Sequence, residues 1–278
     1  MLGAMVGDII GSVYEWNNIR TKDFPLFAAR SFFTDDTVMT IAVAEALMNG
    51  GKSDDFIDAM KKWGRKYPSA GYGMQFGAWL DSDSREPYNS WGNGSAMRVS
   101  PVGFFVDLRN IETIDRESLF AKVRELSMRS AETTHNHPEG IKGAQAVADA
   151  ILHMRLGREV DGNVEERKAS LGSLIEARYG YDLSRTLDEI RPAYSFNESC
   201  QETVPEAITA FIESTDFEDA IRNAVSLGGD SDTLAAITGG IAEAAYGIPK
   251  DIADRALGYL DASTREAYDR WCGFLMKN

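Results

Sequence analysis

Cysteine and long apolar runs are scarce in this chain of 278 residues. Its two cysteines, Cys200 and Cys272, stand alone without metal or redox spacing, which argues against a disulfide-stapled fold and favours a reducing, cytoplasmic compartment. No apolar stretch reaches the roughly 18–20 residues that span a bilayer, so we expect no membrane anchor. The first residues lack a basic region, and we therefore expect no signal peptide.

Positive charge is also in deficit, because 29 Lys and Arg stand against 43 Asp and Glu, for a formal net charge of −14. Such a surface repels phosphate backbones and anionic lipids, which argues against non-specific binding to nucleic acid or membrane. An anionic small molecule would have to be held by local means. These are bound divalent cations, helix N-termini and the N–H groups of glycine-rich loops.

Strand patterns are missing as well. No stretch shows convincing apolar–polar alternation over four or more residues, whereas apolar and alanine-rich segments of helical character recur along the chain. We therefore predict one compact all-α domain over residues 1–278. In its first helix, Gly3, Gly7 and Gly11 share one face, at a cost of roughly 1 kcal/mol each relative to alanine. This spacing predicts very close packing against another backbone.

Two acidic clusters open long apolar segments. The first is Thr-Asp-Asp-Thr at 34–37, before the run at 38–47, and the second is Asp-Ser-Asp-Thr at 230–233, before the alanine-rich run at 234–246. Each run indicates a buried helix with the acids in its first turn, where free N–H groups and the helix dipole stabilise negative charge. Two carboxylates exceed what a helix cap needs. Their hard oxygens suit Mg²⁺ or Mn²⁺, and four converging carboxylates would repel without a cation.

Glu15 is the candidate acid or base. It lies between Tyr14 and Trp16 just after the first helix, where burial against aromatic rings would raise its pKa. On spacing alone, a glutamate beside a tryptophan is more often an ordinary surface residue. Both interpretations stay open at this point.

Two Gly-x-Gly turns, at 71–73 and within 90–95, precede helix-like segments and carry aromatic residues. Such turns are usually only turns, but their N–H groups could also cradle an anion. Trp91 offers a flat face for a base or sugar, and Ser95 could cap the next helix. The His-x-His motif at 135–137 has no cysteine partner, so zinc is disfavoured and a histidine that donates to phosphate or a backbone carbonyl is expected.

These motifs together resemble the ADP-ribosylglycohydrolase family, the group that includes dinitrogenase reductase-activating glycohydrolases. The matching segments follow the family's order and span nearly the whole chain, at residues 7–16, 33–37, 92–98, 134–138 and 227–233. The resemblance implies a compact orthogonal helical bundle with a binuclear Mg²⁺ or Mn²⁺ centre. It also implies hydrolysis of the glycosidic bond at C1″ of ADP-ribose in ADP-ribosylated proteins or related conjugates, with release of ADP-ribose.

The same resemblance implies roles for individual residues. The metal ligands would be Thr34, Asp35, Asp36, Asp230, Asp232 and Thr233. The catalytic set would be Glu15, Asp35 and Asp36, with Glu15 where members that cleave serine-linked or polymeric ADP-ribose carry a catalytic glutamate. The substrate contacts would be Gly71, Tyr72, Gly73, Ser90, Trp91, Gly92, Asn93, Gly94, Ser95 and His135. The linkage that is cut, the choice between Mg²⁺ and Mn²⁺ and the oligomeric state stay open.

Two other functions fit parts of the pattern. A protein of the same fold that binds ADP-ribose without cleaving it would not need all six candidate ligands, which are present. A metal-dependent phosphohydrolase of the haloacid-dehalogenase type would use Asp230 and Asp232 as its Asp-x-Asp motif. That chemistry needs Thr or Val at position 234 and an apolar strand just before, where Leu234 and the Gly228-Gly229 pair stand.

Overall fold

A computed structural model describes residues 1–109, 115–159 and 163–277 of the protein. Over these ranges it contains helices and one isolated β-bridge, between Gly92 and Ser199, but no strand, which confirms the all-α prediction. The helices are α1 (Leu2–Gly11), α2 (Asp35–Met48), α3 (Ser53–Lys66), α4 (Met74–Asp81), α5 (Gly94–Met97), α6 (Ser100–Phe105), α7 (Arg116–Glu132), α8 (Pro138–Glu159), α9 (Val164–Tyr179), α10 (Leu187–Ile190), α11 (Cys200–Ile212), α12 (Phe217–Ser226), α13 (Ser231–Tyr246), α14 (Lys250–Leu257) and α15 (Ala262–Lys277).

Helices α1 and α13 pack with their backbones in direct contact. A Cβ atom on Gly7 would lie 1.9 Å from the carbonyl oxygen of Ala235, and one on Gly11 would lie 2.5 Å from the Cα atom of Asp232. No side chain larger than hydrogen fits at these positions, as the glycine spacing predicts. The close approach therefore brings the C-terminal end of α1 beside the first turn of α13.

Helices α2 and α13 are buried on nearly every face. Their side chains between Asp36 and Leu47 and between Ser231 and Ala242 are almost fully inaccessible to solvent. Helix α13 is surrounded by α1, α8, α11 and α12, and α2 by α1, α3, α6 and α15. Such surroundings suit helices that are apolar all round. Both begin at the same region of the molecule, which positions their acidic first turns.

The ends of these two helices follow local sequence signals. The hydroxyl of Thr34 accepts a hydrogen bond from the backbone N–H of Asp36 at 3.3 Å and so caps α2. Gly247 directly follows the last residue of α13, and its φ of 75° lies in the left-handed region that favours glycine. Within the described ranges, no helix is both long and apolar enough to cross a bilayer.

Candidate active site

A cavity of about 680 Å³ opens where α2 and α13 begin. All the site residues predicted from the sequence line it except Trp91 and Ser95. The Trp91 side chain is 51% exposed, outside the cavity wall. Ser95 lies within α5, and its hydroxyl donates to the carbonyl of Gly140 at 2.7 Å. The prediction that Ser95 caps a helix is therefore wrong, because a buried carbonyl nearby takes its hydroxyl.

The two acidic helix starts meet in this cavity, as their pattern predicts. The hydroxyl of Thr233 donates to Asp36 Oδ2 at 3.3 Å, across 197 residues of sequence. Two further carboxylate oxygens at these helix starts, Asp36 Oδ1 and Asp232 Oδ1, are buried and have no hydrogen-bond partner. Burial raises the pKa of both carboxyls well above the usual range, and neighbouring carboxylates add to the effect. Unpaired buried oxygens of this kind fit a hard divalent cation.

Glu15 joins the second cluster. One carboxylate oxygen of Glu15, one of Asp230 and one of Asp232 all lie within 4.8 Å of one another. Burial, and then the charge of Asp230, raises the pKa of Glu15 to about 7. From the sequence we assigned Glu15 to catalysis alone, but its position is also suited to holding an ion. Asp35, in the first turn of α2, faces the Gly71 turn. Its Oδ1 lies 3.3 Å from where a Cβ atom on Gly71 would be.

Asp8 anchors the first helix start, and sequence reasoning assigned it no role. Its fully buried carboxylate accepts from the backbone N–H and hydroxyl of Thr34, at 2.9 and 2.8 Å, and from the N–H and hydroxyl of Thr37. Burial raises its pKa to about 6 against the effect of these donors. A single acid within an otherwise apolar helix was the signal that could have identified it.

The second helix start is held by two asparagines. Asn18 accepts from the N–H of Gly229 at 2.7 Å and donates to the carbonyls of Gly229 and Glu15 at 3.0 and 2.8 Å. Asn93 donates to Asp230 Oδ2 at 2.7 Å. Asn18 therefore ties the segment of Glu15 to the loop that carries Asp230. We found no local sequence pattern for Asn18, whose partner Gly229 is 211 residues away.

The opposite part of the cavity offers hydrogen-bond donors. Arg98, only 1% exposed, donates through Nη2 to the hydroxyl of Thr134 at 3.0 Å, and that hydroxyl pairs with Nδ1 of His135 at 2.8 Å. Burial, and then the charge of Arg98, holds the pKa of His135 well below its usual value, so the ring is neutral. The other ring nitrogen of His135, Nε2, lies 3.1 Å from where a Cβ atom on Gly94 would be, so it borders the Gly94 turn.

The phosphohydrolase alternative is inconsistent with this geometry. The chain enters the second acidic cluster from helix α12, not from a strand. Gly228 and Gly229 then adopt φ values of 70° and 67° in the left-handed region. The Asp-x-Asp motif of that chemistry needs an apolar strand before it, and a helix followed by two left-handed residues stands in its place.

Comparison with known proteins agrees with this geometry. Residues 1–273 match the model of the ADP-ribosylglycohydrolase family. ADP-ribosylhydrolase ARH3 of Gallus gallus is 28% identical over 322 residues, which cover 89% of this chain and 84% of that protein. ADP-ribosylarginine hydrolase Tri1 of Pseudomonas putida (strain GB-1) is 27% identical over 277 residues, covering 89% of this chain and 70% of the relative.

A solved structure, described as an ADP-ribosylglycohydrolase-related protein complex, shares the fold. It superposes with a TM-score of 0.61 at 24% sequence identity and covers 96% of this chain and 94% of its own. At that identity, the match speaks for the fold alone. The family model, which matches nearly the whole chain, shows that this protein belongs to the ADP-ribosylglycohydrolase family.

Proposed function

We propose that this protein is a divalent-metal-dependent hydrolase that cleaves the glycosidic bond at C1″ of ADP-ribose in an ADP-ribosylated conjugate and releases ADP-ribose. The observation that carries the proposal is the meeting of two acidic helix starts with Glu15 in one cavity, where Asp36 Oδ1 and Asp232 Oδ1 have no protein partner. Family membership supports it, and so do relatives that are named as ADP-ribosylhydrolases.

The donor set favours two Mg²⁺ or Mn²⁺ ions. It consists of carboxylate and hydroxyl oxygens, with no thiolate or imidazole, which suits hard cations over zinc. The residues that would hold the ions are Thr34, Asp35, Asp36, Asp230, Asp232 and Thr233, with Glu15 within reach of the second cluster. Bound there, the ions would supply charge that fixes ribose hydroxyls and lowers the pKa of a water molecule.

The residues of the chain itself supply proton transfer and binding. Glu15, whose carboxylate oxygen lies within 4.8 Å of oxygens of Asp230 and Asp232, suits a group that accepts the proton of an attacking water. Asn18 holds the Glu15 segment against the second helix start, which fixes the direction of approach. The neutral His135, whose Nε2 borders the Gly94 turn, and the N–H group of Gly94 suit a diphosphate that the acidic surface would otherwise repel.

The proposal is tested by release of free ADP-ribose from a panel of defined conjugates. The panel holds ADP-ribosyl-arginine, ADP-ribosyl-serine and an ADP-ribosylated oligonucleotide, each incubated with and without EDTA and quantified by mass spectrometry. We expect release from at least one conjugate, loss of release in EDTA, and recovery on addition of Mg²⁺ or Mn²⁺. Tight binding of ADP-ribose without release from any conjugate would favour the non-catalytic alternative, and release that EDTA leaves unchanged would refute the metal requirement.

Metal binding also has a test that does not depend on turnover. Because the acidic cluster repels itself without a cation, added Mn²⁺ should raise the melting temperature of the EDTA-treated protein in a concentration-dependent way. An Asp232→Ala variant should lose most of that rise. A melting temperature that does not respond to Mn²⁺ or Mg²⁺ in the wild-type protein would contradict the proposed centre.

A further inference from the structure

Arg98 is the single lysine or arginine among the described residues that line the cavity. The other charged side chains of the lining are acidic, and they are Glu15, Asp35, Asp36, Glu198, Asp230 and Asp232. A cavity with this lining repels anions, yet the ligand of the proposed function carries a diphosphate. The surroundings of its one positive side chain therefore bear on what the cavity binds.

The guanidinium of Arg98 is buried without an ion-pair partner. Its Nη2 donates to the carbonyl of Ser130 at 2.9 Å and to the hydroxyls of Thr133 and Thr134 at 3.3 and 3.0 Å, all of them neutral oxygens. Its Nε is buried and has no hydrogen-bond partner. Among the described residues no carboxylate forms an ion pair with Arg98, and Asp35 acts on it only through its charge.

A charge at this position is more than the hydrogen bonds of Arg98 require. A neutral amide could donate to the same oxygens without the free-energy cost of burying an unpaired charge. Burial lowers the pKa of Arg98 to about 10, so the guanidinium keeps its charge at neutral pH. The protein therefore leaves a positive charge uncompensated at the cavity wall, where a ligand can compensate it.

Arg98 lies beside the part of the cavity that suits a diphosphate. The hydroxyl of Thr134 links Arg98 Nη2 to His135 Nδ1, at 3.0 and 2.8 Å. After burial, the charge of Arg98 is the second cause of the lowered pKa of His135, whose Nε2 borders the Gly94 turn. Salt and water screen a buried charge weakly, so Arg98 can attract an anion at this turn without touching it.

We propose that Arg98 selects for an anionic ligand, because its unpaired buried charge attracts the diphosphate into a cavity whose other charged side chains are acidic. The inference rests on the proposed function for the identity of that ligand, and it adds the residue that determines its selection. Arg98 acts on binding through its charge and is not a catalytic residue. Its loss should therefore change KM and leave kcat nearly unchanged.

Position 133 allows the charge of Arg98 to be compensated while Arg98 itself is kept. Thr133 is 4% exposed, and Thr133→Asp would place a carboxylate next to the guanidinium as an ion-pair partner. Thr133→Asn has the same shape without the charge and is the matched control. Calorimetry at saturating Mg²⁺ should give a dissociation constant for ADP-ribose that is about 30-fold higher in Thr133→Asp than in Thr133→Asn.

Substitutions of Arg98 separate its charge from its hydrogen bonds. Arg98→Lys keeps the charge and should bind ADP-ribose within about fivefold of the wild type, whereas Arg98→Gln should bind it about 30-fold more weakly. Neutral adenosine, measured by ligand-observed NMR, should bind every variant within about twofold of the wild type. Arg167→Gln is the control, because Arg167 also has a buried Nε without a partner and donates to the carbonyl of Met154 at 3.0 Å, but lies outside the cavity lining.

Circular-dichroism melting curves verify that each variant is folded, and the Thr133 pair decides the question if Arg98→Gln is not. The same affinity in Thr133→Asp and Thr133→Asn, or equal losses for ADP-ribose and adenosine, would show that Arg98 only supports the local structure. Wild-type protein that binds ADP-ribose no more tightly than adenosine would refute selection by charge. If it binds ADP-ribose but cleaves no conjugate, the proposed function fails separately, and these dissociation constants still decide the role of Arg98. Where a conjugate is cleaved, Arg98→Gln should raise KM by about 30-fold and leave kcat within about threefold.

Discussion

The two acidic helix starts are nearly the same in sequence but are held in different ways. At the start of α2, the buried carboxylate of Asp8 accepts hydrogen bonds from the backbone and hydroxyl groups of Thr34 and Thr37. At the start of α13, two left-handed glycines precede Asp230, and the neutral amides of Asn18 and Asn93 hold the loop and the carboxylate. One start is fixed by a buried charge, and the other by amides from distant segments.

This difference predicts that substitutions of the anchoring residues act on stability at one helix start and on catalysis at the other. The start of α2 is anchored by the buried carboxylate of Asp8, so loss of that carboxylate should mainly reduce the free energy of unfolding. The start of α13 is tied through exposed Asn18 to the segment of Glu15, so its disruption should mainly affect catalysis. Substitutions on the two sides can test this division.

The largest loss of activity is expected when a candidate metal ligand is removed from either helix start. Asp35→Ala and Asp232→Ala should each abolish hydrolysis at saturating Mg²⁺, while the metal-free proteins melt at or above the wild-type temperature because carboxylate repulsion is relieved. Steady-state assays and melting curves in EDTA measure both quantities. Asp251→Ala, in the exposed first turn of α14, is the matched control and should change neither. Normal turnover in either cavity variant would refute the ligand assignment.

Glu15→Gln should lower kcat by about 10²–10⁴-fold, because the amide keeps the shape of the side chain but cannot accept the proton of the attacking water. The dissociation constant for ADP-ribose, measured by calorimetry at saturating metal, should change little. Glu202→Gln, an exposed glutamate in the first turn of α11, controls for the loss of one charge. Near-normal kcat in Glu15→Gln would transfer the proton-accepting role to an aspartate of the cluster.

Asp8→Ala should lower the free energy of unfolding by about 2–4 kcal/mol, because it leaves the buried donors of Thr34 and Thr37 without an acceptor. Urea denaturation measures the change. Asp8→Asn keeps one oxygen that can accept hydrogen bonds and should recover much of the loss. Equal stability of the alanine variant and the wild type would show that the first helix start does not depend on its buried charge.

The smallest effect is expected at Asn18. Asn18→Ala should lower stability by only about 1 kcal/mol, since its hydrogen bonds compete with water. It should lower kcat by about tenfold through a misplaced Glu15. In the Glu15→Gln background, Asn18→Ala should have no further effect on kcat, because the group it positions is gone. Additive losses in that double-mutant cycle would separate Asn18 from Glu15, and Asn17→Ala, the neighbouring exposed amide, is the control.

Much of the fold and part of the site follow from local patterns. The glycines at 3, 7 and 11 require a backbone partner, because any side chain there must find room, and α13 is that partner. The acids at 35–36 and 230–232 are marked by their place before long apolar runs, since a buried helix start tolerates carboxylates only where N–H groups or cations offset them. These features are encoded within one or two helical turns, so sequence reasoning can detect them.

Other parts of the site were decided by tertiary structure. Asn18 forms hydrogen bonds with Gly229, 211 residues away, and Asn93 with Asp230, 137 residues away. Neither contact corresponds to a periodic pattern in the sequence. Trp91 and Ser95, for which the motif predicts ligand contact, lie outside the cavity lining, where Trp91 is half exposed and the hydroxyl of Ser95 donates to a buried carbonyl. In a loop or a short helix, the direction of a side chain depends on which distant group satisfies its hydrogen bonds, and packing of the whole chain determines that choice.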